Sequence, residues 1–194
     1  MITPRYPIET ERLRLRPYGP GDLDDLFAMH SREDVVRYLY WDVRDREQVA
    51  AMLERRQART SIEHEGDALI LAVEVPETGR VIGDVLLHWT SEEHHQGEIG
   101  FVFHSDFHGR GYASEAAVVM LRLGFEELGL HRIAGRCEAG NVASARLMER
   151  LGMRREAHFR ENEFVKGKWD DELVFAMLER EWESPHRSRG ASRG

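Results

Sequence analysis

The feature that most constrains the fold of this chain is a glycine turn between an apolar run and an amphipathic one. Gly109 and Gly111 stand between the apolar residues 99–103 and residues 113–128, whose apolar side chains recur with helical spacing. This order predicts a strand, a tight turn and a helix. Backbone N–H groups at such a turn converge at the positive end of the helix dipole, and glycine leaves the backbone open to close approach. The turn is therefore a predicted binding site for a phosphate or pyrophosphate group.

Two common phosphate-binding loops do not fit this turn. The dinucleotide fingerprint needs three glycines, G-x-G-x-x-G, inside a strand–helix–strand unit, and only two glycines are present here. The triphosphate loop needs G-x-x-x-x-G-K followed by Ser or Thr, a pattern that the sequence lacks. We therefore expect a different phosphate-bearing ligand at the turn.

Charge and cysteine content narrow the class of protein further. The 194 residues carry a formal net charge of −8, which disfavours nonspecific binding to nucleic acid because phosphate contacts need a basic field. Cys137 is the one cysteine, so no intramolecular disulfide can form, and it is expected to be a small apolar strand residue rather than a catalytic thiol. No apolar run approaches the ~20 residues of a membrane span, and no secretory signal is evident. A cytoplasmic location is expected.

Periodicity along the rest of the chain predicts an α/β domain. Asp22 is expected to cap the first helix, and Asn141 the last. The order of elements indicates a mixed sheet of about seven strands with helices on both faces, formed by a single domain over residues 1–183, followed by a disordered tail at 184–194. Strands are predicted near 12–17, 68–75, 80–89, 98–104, 131–138, 154–165 and 169–178, and helices near 23–30, 44–65, 113–128 and 141–151.

Five segments form an ordered set of motifs. They are the opening strand 10–16 (TERLRLR), the central strand 98–101 (EIGF), the turn 109–116 (GRGYASEA), the helix 141–153 (N-x-x-S…L-G-M) and the closing hairpin 164–171 (FVKGKWDD). This set resembles the GNAT N-acetyltransferases, and in particular their RimJ/RimL-type branch, the ribosomal-protein-alanine acetyltransferases. The turn fits the family motif Q/R-x-x-G-x-G/A through Gly111 and Ala113, with His108 in the Gln/Arg position. The resemblance implies a GNAT-like acyl-CoA N-acyltransferase fold, with a mostly antiparallel sheet whose central strands splay apart, often through a bulge.

The resemblance also implies acetyl-CoA as the co-substrate. The backbone of Phe101, Val102 and Phe103 would face its pantetheine arm, while Asn141 and Ser144 would flank it. The alternatives are core packing for the phenylalanines, a turn without a ligand for the glycines and a simple helix cap for Asn141. The turn residues whose amides would bind the pyrophosphate are His108, Gly109, Arg110, Gly111, Tyr112 and Ala113.

The mechanism that the resemblance implies is direct transfer, in which an amine attacks the thioester, a base removes its proton and the thiolate leaves. Glu98, at the start of the central strand, is the candidate base, acting directly or through water; otherwise it is a solvated carboxylate at a strand edge. The tyrosine that many members use as the general acid is replaced by Met148, which cannot donate a proton. The candidate acid is therefore Ser144, whose alternative is a helix-surface hydroxyl.

Aromatic residues mark the candidate acceptor site. Tyr38, Tyr40 and Trp41 would wall an acceptor pocket, or else pack as a core patch beneath a loop. His88 would line the cleft, although its strand alternation allows either face. A zinc site needs three or four converging ligands, and His104 and His108, although four residues apart, flank a strand end and a turn rather than one helix face, so no metal is expected.

Three interpretations of the function remain open. The RimJ/RimL resemblance implies a protein N-terminal amine, whereas the same fold also serves polyamines, aminoglycosides and other small amines, and a silent acyl-CoA-binding protein is the third possibility. A pocket lined by several carboxylates would favour a small amine, and a groove of peptide width a protein N-terminus. The acidic residues of the closing hairpin, at 161, 163 and 170–172, are expected on exposed faces or, alternatively, guide a cationic acceptor. The protein is expected to be a monomer or a homodimer.

Overall fold

A computed structural model describes residues 1–182, so the predicted tail and the last residue of the predicted domain lie outside the described residues. The strands are β1 (Ile8–Glu9), β2 (Arg14–Arg16), β3 (Ala68–Val75), β4 (Arg80–Ser91), β5 (Gln96–Phe103), β6 (Arg132–Glu138), β7 (Arg154–Val165) and β8 (Lys168–Leu178). They form one sheet in the order β1-β2-β3-β4-β5-β6-β8-β7. The strand count is eight rather than about seven, because a short β1 precedes the opening strand.

Five α-helices accompany the sheet in the described part of the chain. They are α1 (Leu23–His30), α2 (Glu33–Val36), α3 (Arg46–Gln57), α4 (Tyr112–Arg122), which continues as a π-helical turn, and α5 (Val142–Arg150). Only β5 and β6 pair in parallel among these strands, so the predicted mixed, mostly antiparallel sheet is confirmed. Within residues 1–182, no helix is both long and apolar enough to cross a membrane.

Alternation along β3 creates two apolar layers. Leu69, Leu71 and Val73 are buried in the core cluster that includes the apolar face of α4. Ile70 and Ala72 instead pack with the buried residues of α1 and α3. Because neighbouring residues of a strand point to opposite faces, β3 must be apolar on both sides, and helices cover both faces of the sheet as expected.

The parallel pair β5–β6 opens in the middle of the sheet. Its register runs from Gln96 opposite Arg132 to Ile99 opposite Gly135 and goes no further, while β5 stays paired with β4 up to Phe103. Among residues 1–182, the last four residues of β5 therefore have no strand partner on that side. The predicted splay is confirmed. The register shift between β4 and β5 lies at the far end of the pair, so no bulge in that pair accompanies the splay.

The helix predicted over residues 44–65 is shorter than the apolar spacing indicates. Asp45 begins α3 through a hydrogen bond from the Gln48 backbone N–H (2.8 Å), and the helix ends at Gln57. Ile62, which the pattern assigned to the helix, instead forms a backbone bridge with Ile2 and is fully buried. Its apolar character comes from a tertiary contact rather than from a helical face.

The two predicted helix caps have different outcomes: Asp22 occupies the N-cap position of α1, as predicted, but its side chain does not cap the helix. Asp22 makes no capping hydrogen bond to α1, because its carboxylate is held by the Arg16 guanidinium at 2.7 and 2.8 Å and by the Gly19 backbone N–H. Asn141 does cap α5, since its Oδ1 accepts a hydrogen bond from the Ser144 backbone N–H (3.1 Å). Placement of this cap matters because α5 borders the splayed strands.

Candidate active site

The glycine turn forms the start of α4, as predicted. Gly109 and Gly111 have φ angles of 75° and 82°, in the left-handed region that glycine favours, and Gly111 immediately precedes the helix. Gly111 supplies no side-chain cap, so the N–H groups of the first helical turn are free of a capping side chain. A Cβ on Gly109 would meet nothing within 4 Å, so glycine is needed there for its backbone conformation and not for space.

This turn opens onto a cavity of about 510 Å³ between the end of β5, the start of α4 and the start of α5. Asp34, Val35 and Leu39, from α2 and the segment after it, also line it, and no pattern in the sequence singled them out. The predicted cofactor residues that line the cavity are Phe101, Val102, Phe103, His108, Gly109, Gly111, Tyr112, Ala113, Asn141 and Ser144.

Arg110 is the predicted cofactor residue that does not line the cavity. Its guanidinium carbon lies 5.5 Å from the ring centroid of Phe107, and its carbonyl accepts a hydrogen bond from Arg12. The neighbouring His108 lines the cavity while its Nε2 donates to the Phe103 carbonyl (3.0 Å), which ties the turn to the end of β5. His108 therefore anchors the turn from the position where the family motif has Gln or Arg.

A second cavity, of about 360 Å³, meets the first where β5 and β6 splay. Tyr40, Trp41 and the candidate base Glu98 line this second cavity, which we call the acceptor cavity. His88 lies directly opposite Glu98 on β4 but lines neither cavity, so its predicted role in the cleft is not supported. The residues that line both cavities are Tyr38, Leu39, Phe101, Val102, Asn141 and Ser144.

The three aromatic residues predicted to wall an acceptor pocket differ in how deeply they are buried. Trp41 is partly buried, and its Nε1 donates to Nδ1 of His30 (3.3 Å) while Arg44 stacks 4.8 Å from its ring centroid. Tyr40 is 65% exposed, so it is not part of a core patch. Tyr38 lies against Gly140, whose Cβ, if present, would be 3.4 Å from its ring. All three aromatic rings line the acceptor cavity, with Tyr38 nearest the helix cap.

The acceptor cavity is strongly acidic. Six carboxylates line it, namely Asp84, Glu98, Glu138, Glu163, Asp170 and Asp171, against the two guanidinium groups of Arg56 and Arg136. Some of this charge is balanced: Arg56 forms a buried ion pair with Asp84, and the exposed Lys168 pairs with Glu138 (3.2 Å) and Asp170 (2.7 Å). Glu163 has no cationic partner within residues 1–182, and burial together with the nearby Glu163 raises the pKa of the Tyr40 hydroxyl. The expectation that the hairpin acids lie on exposed faces is therefore wrong for residues 163, 170 and 171.

Glu172 is the hairpin acid whose burial differs most from the predicted exposed face. It is only 4% exposed, and its Oε2 accepts hydrogen bonds from Arg136 (3.3 Å) and Asn162 (3.0 Å). Burial raises the pKa of Glu172, and the charges of Glu163 and Glu98 act in the same direction, while Arg136 opposes them. The sequence does contain an indication of this burial. Glu172 directly precedes the apolar run 173–177 of β8, and strand alternation places residues 172 and 174 on the same face, which is buried.

Met148 occupies the interior instead of the site. It is 1% exposed, and a Cβ on Gly135 would lie 2.6 Å from its sulfur, so the side chain packs directly on β6. Ser144, one turn earlier on α5, is partly buried and lines both cavities. The tyrosine that lines both cavities is Tyr38, from a different part of the chain.

Comparisons with known proteins agree with this geometry. A family model of the acetyltransferase (GNAT) domain matches residues 12–154. The uncharacterized N-acetyltransferase YnaD of Bacillus subtilis is 34% identical over 175 residues, 90% of this chain and 98% of YnaD. YdaF of the same species, a candidate ribosomal N-acetyltransferase, is 32% identical over 105 residues, 54% of this chain and 57% of YdaF.

Solved structures share the fold over most of their length. A GNAT acetyltransferase from Bacillus anthracis superposes with a TM-score of 0.79 at 32% identity, covering 89% of this chain and 98% of that one. The spermidine N-acetyltransferase of Vibrio cholerae, solved with CoA and spermine, superposes with a TM-score of 0.74 at 20% identity, covering 89% and 98%. At that identity the second likeness shows a common fold.

Fold and relatives together define an acyltransferase that uses a CoA thioester. The domain match spans most of the chain and the relative YnaD is similar over nearly its whole length, so this chain belongs to the GNAT acetyltransferases. It is an acetyl-CoA-dependent N-acetyltransferase, as predicted, and the match to YdaF supports the RimJ/RimL-type branch. Within residues 1–182, no group of three or more His, Cys, Asp or Glu side chains is arranged to hold a metal ion.

Proposed function

We propose that this enzyme acetylates a primary amine of a small cationic acceptor, held in the acceptor cavity. The observation that carries the proposal is the set of six carboxylates around a space of about 360 Å³, with only two guanidinium groups among the lining residues. A cleft lined by one sign of charge raises the local concentration of ligands of the opposite sign. Amines of ordinary basicity are protonated at neutral pH, so such a cleft collects them as ammonium ions.

The binding of acetyl-CoA is assigned to the first cavity. The N–H groups at the start of α4 bind its pyrophosphate, because the glycine turn carries no capping side chain and opens onto the cavity. The unpartnered edge of β5 from Phe101 to Phe103 lies along the pantetheine arm. Acetyl-CoA supplies the activated acetyl thioester, whose position in this assignment is the junction of the two cavities.

The proton transfers are assigned to residues at that junction and in the acceptor cavity. Glu98 removes a proton from the acceptor amine, directly or through water, and Arg136 holds its carboxylate in place (3.2 Å). Ser144, in the first turn of α5, donates its hydroxyl proton to the leaving thiolate and takes up the second proton, which the nitrogen releases as the amide forms. Its backbone N–H is already bound by Asn141, so the hydroxyl is the group that remains for this role.

A protein N-terminal amine is the second candidate, and the similarity to YdaF favours it. The acidic lining favours a small cation instead, because a peptide needs an open groove with backbone partners along its length. A protein of the same fold, the spermidine N-acetyltransferase of V. cholerae, was solved with CoA and spermine, which supports a cationic acceptor here. The two candidate acceptors differ in how strongly their rates of acetylation should depend on the carboxylates that line the acceptor cavity.

The test is thiol release from acetyl-CoA with polyamines, aminoglycosides, free amino acids and peptides with N-terminal Ala or Ser. We expect turnover with a polycationic small amine, and a rise of about tenfold in its KM when Glu163→Gln removes one wall charge. The KM for acetyl-CoA should not change. Glu77→Gln, in the β3–β4 turn, is the matched control. Turnover confined to the peptides would overturn the small-cation proposal, and stabilisation by acetyl-CoA without turnover of any amine would indicate a silent binder.

A further inference from the structure

The connection between β1 and β2 contacts the start of α4 through an ion pair between Arg12 and Glu115. The Arg12 Nε donates to Glu115 Oε2 (2.8 Å), Nη2 lies 2.6 Å from the same oxygen, and the Arg12 backbone N–H donates to Oε1 (2.9 Å). The Thr10 hydroxyl adds a further hydrogen bond to Oε1 (2.6 Å). Both carboxylate oxygens of Glu115 are therefore bound by residues about a hundred positions earlier in the chain.

The same guanidinium also contacts the turn itself. Its Nη1 donates to the Arg110 carbonyl (2.9 Å), and its central carbon lies 4.8 Å from the ring centroid of Tyr112. A Cβ on Gly111 would lie 3.3 Å from Nη2. Arg12, in the connection between β1 and β2, thus lies against three successive residues, 110 to 112.

The charge of Glu115 makes this contact important for an anionic ligand. Glu115 lies in the first turn of α4, where the helix dipole attracts anions, so its carboxylate and a pyrophosphate seek the same positive end. Burial disfavours the ionised form, but hydrogen bonds from Thr10 and Arg12 outweigh it and hold the pKa of Glu115 below its usual range. Glu115 is therefore ionised at neutral pH, and Arg12 is the cation that neutralises it.

We propose that Arg12 is a positioning residue for the pyrophosphate of acetyl-CoA. It fixes the backbone of residues 110–112 in the binding conformation and cancels the negative charge of Glu115, which would otherwise repel the ligand. This inference rests on the proposed binding of the pyrophosphate at the glycine turn. It gives a function to residues Thr10–Arg12 of the opening motif, which the catalytic assignment leaves unused.

The test compares acetyl-CoA with S-acetylpantetheine, a donor that carries the same thioester but has no pyrophosphate. In Arg12→Met we expect the KM for acetyl-CoA to rise by about tenfold or more, because charge-assisted hydrogen bonds are lost and Glu115 is unbalanced. The kcat with acetyl-CoA and the kcat/KM with S-acetylpantetheine should stay within about twofold. Arg14→Met, two residues later at the start of β2 and paired with Glu9 and Glu74, is the matched control and should leave the kinetics with both donors unchanged.

Two further variants separate the effect of the Arg12 charge from the effect of its geometry. Arg12→Met with Glu115→Gln should recover part of the lost acetyl-CoA affinity, because no unbalanced carboxylate remains; Arg12→Lys, which keeps charge but not the forked geometry, should fall between wild type and Arg12→Met. Equal losses with both donors, or an unchanged KM for acetyl-CoA, would overturn the role of Arg12. If wild-type enzyme itself uses S-acetylpantetheine as well as acetyl-CoA, the pyrophosphate site fails first, and this inference fails with it. Should Arg12→Met not fold, the Arg12→Lys comparison decides the question.

Discussion

The Nε atom of Arg136 lies 3.2 Å from Oε2 of Glu98, so a cation on the neighbouring strand holds the candidate base. The contact spans the place where β5 and β6 stop pairing, since Glu98 is still opposite Ala134 and Arg136 comes one residue after the last pair. The same guanidinium reaches the buried Glu172 at 3.3 Å. One arginine thus links the base to a carboxylate of the closing hairpin.

Replacing the base should separate catalysis from cofactor binding. We expect Glu98→Gln to lower kcat by about a hundredfold or more, the usual contribution of a general base, and to leave the KM for acetyl-CoA within about twofold. The reason is that the proposed cofactor contacts are backbone groups of β5 and the turn, which this change leaves intact. Steady-state kinetics of thiol release measure both values, with the exposed Glu93→Gln as the control. Full turnover at neutral pH would show that Glu98 is not the base.

Arg136 should act through Glu98 and not independently. We expect Arg136→Gln to lower kcat by about tenfold, because the Glu98 carboxylate loses its anchor. The double variant Glu98→Gln/Arg136→Gln should be no slower than Glu98→Gln alone, since residues that act as a unit give non-additive effects. A double-mutant cycle on kcat measures this coupling. Losses that simply multiply would mean that Arg136 contacts the acceptor or the thioester by itself.

Two residues with a hydroxyl group, Ser144 and Tyr38, line both cavities, and kinetics of their variants can identify the proton donor. We expect Ser144→Ala to lower kcat by about ten- to a hundredfold, because the leaving thiolate loses its acid. The cap of α5 uses the Ser144 backbone N–H, so the variant should keep its Tm within about 2 °C. Tyr38→Phe, measured beside it, should have the smaller effect on kcat. The opposite order would assign the acid to Tyr38.

The strand, turn and helix start that line the first cavity could be predicted because they are local in sequence. The end of β5, the glycine turn and the start of α4 follow one another, so periodicity and turn chemistry specify them without knowledge of the packing. The cap of α5 is equally local, since Asn141 bonds a backbone group three residues away. These are interactions whose partners a sequence shows side by side.

The acidic wall of the acceptor cavity could not be predicted, because it is assembled by long-range contacts, although the predicted aromatic residues and Glu98 do line that cavity. Alternation shows that residues 170 and 172 share one face of β8, but which face points inward depends on the pairing of β8 with β6 and β7. The ion pair of Arg12 with Glu115 joins residues about a hundred positions apart for the same reason. Ile62 is an example of the opposite error. Its position in the sequence fits helical spacing, but it is apolar because it is buried beside Ile2, with which it forms a backbone bridge.

Acid sensitivity should arise in part from His30, which contacts Trp41, one of the residues that line the acceptor cavity. His30 is fully buried, its Nδ1 accepts from the Trp41 indole (3.3 Å), and its Nε2 has no hydrogen-bond partner in the described part of the chain. Burial lowers the pKa of His30 to about 4. An unfolded histidine titrates near pH ~6.5, so the unfolded chain takes up this proton first as the pH falls.

The sign follows from that order of protonation. The folded state is not penalised above pH ~6.5, and stability is lost progressively as the pH falls from there toward 4. Between pH 7.5 and 5, His30 alone should lower the free energy of unfolding by about 2 kcal/mol. His30→Gln keeps an acceptor for the Trp41 indole but does not titrate, so denaturant unfolding of both proteins across this range isolates the histidine. The wild-type curve should fall more steeply, and parallel curves would show that His30 is not the acid-sensitive group.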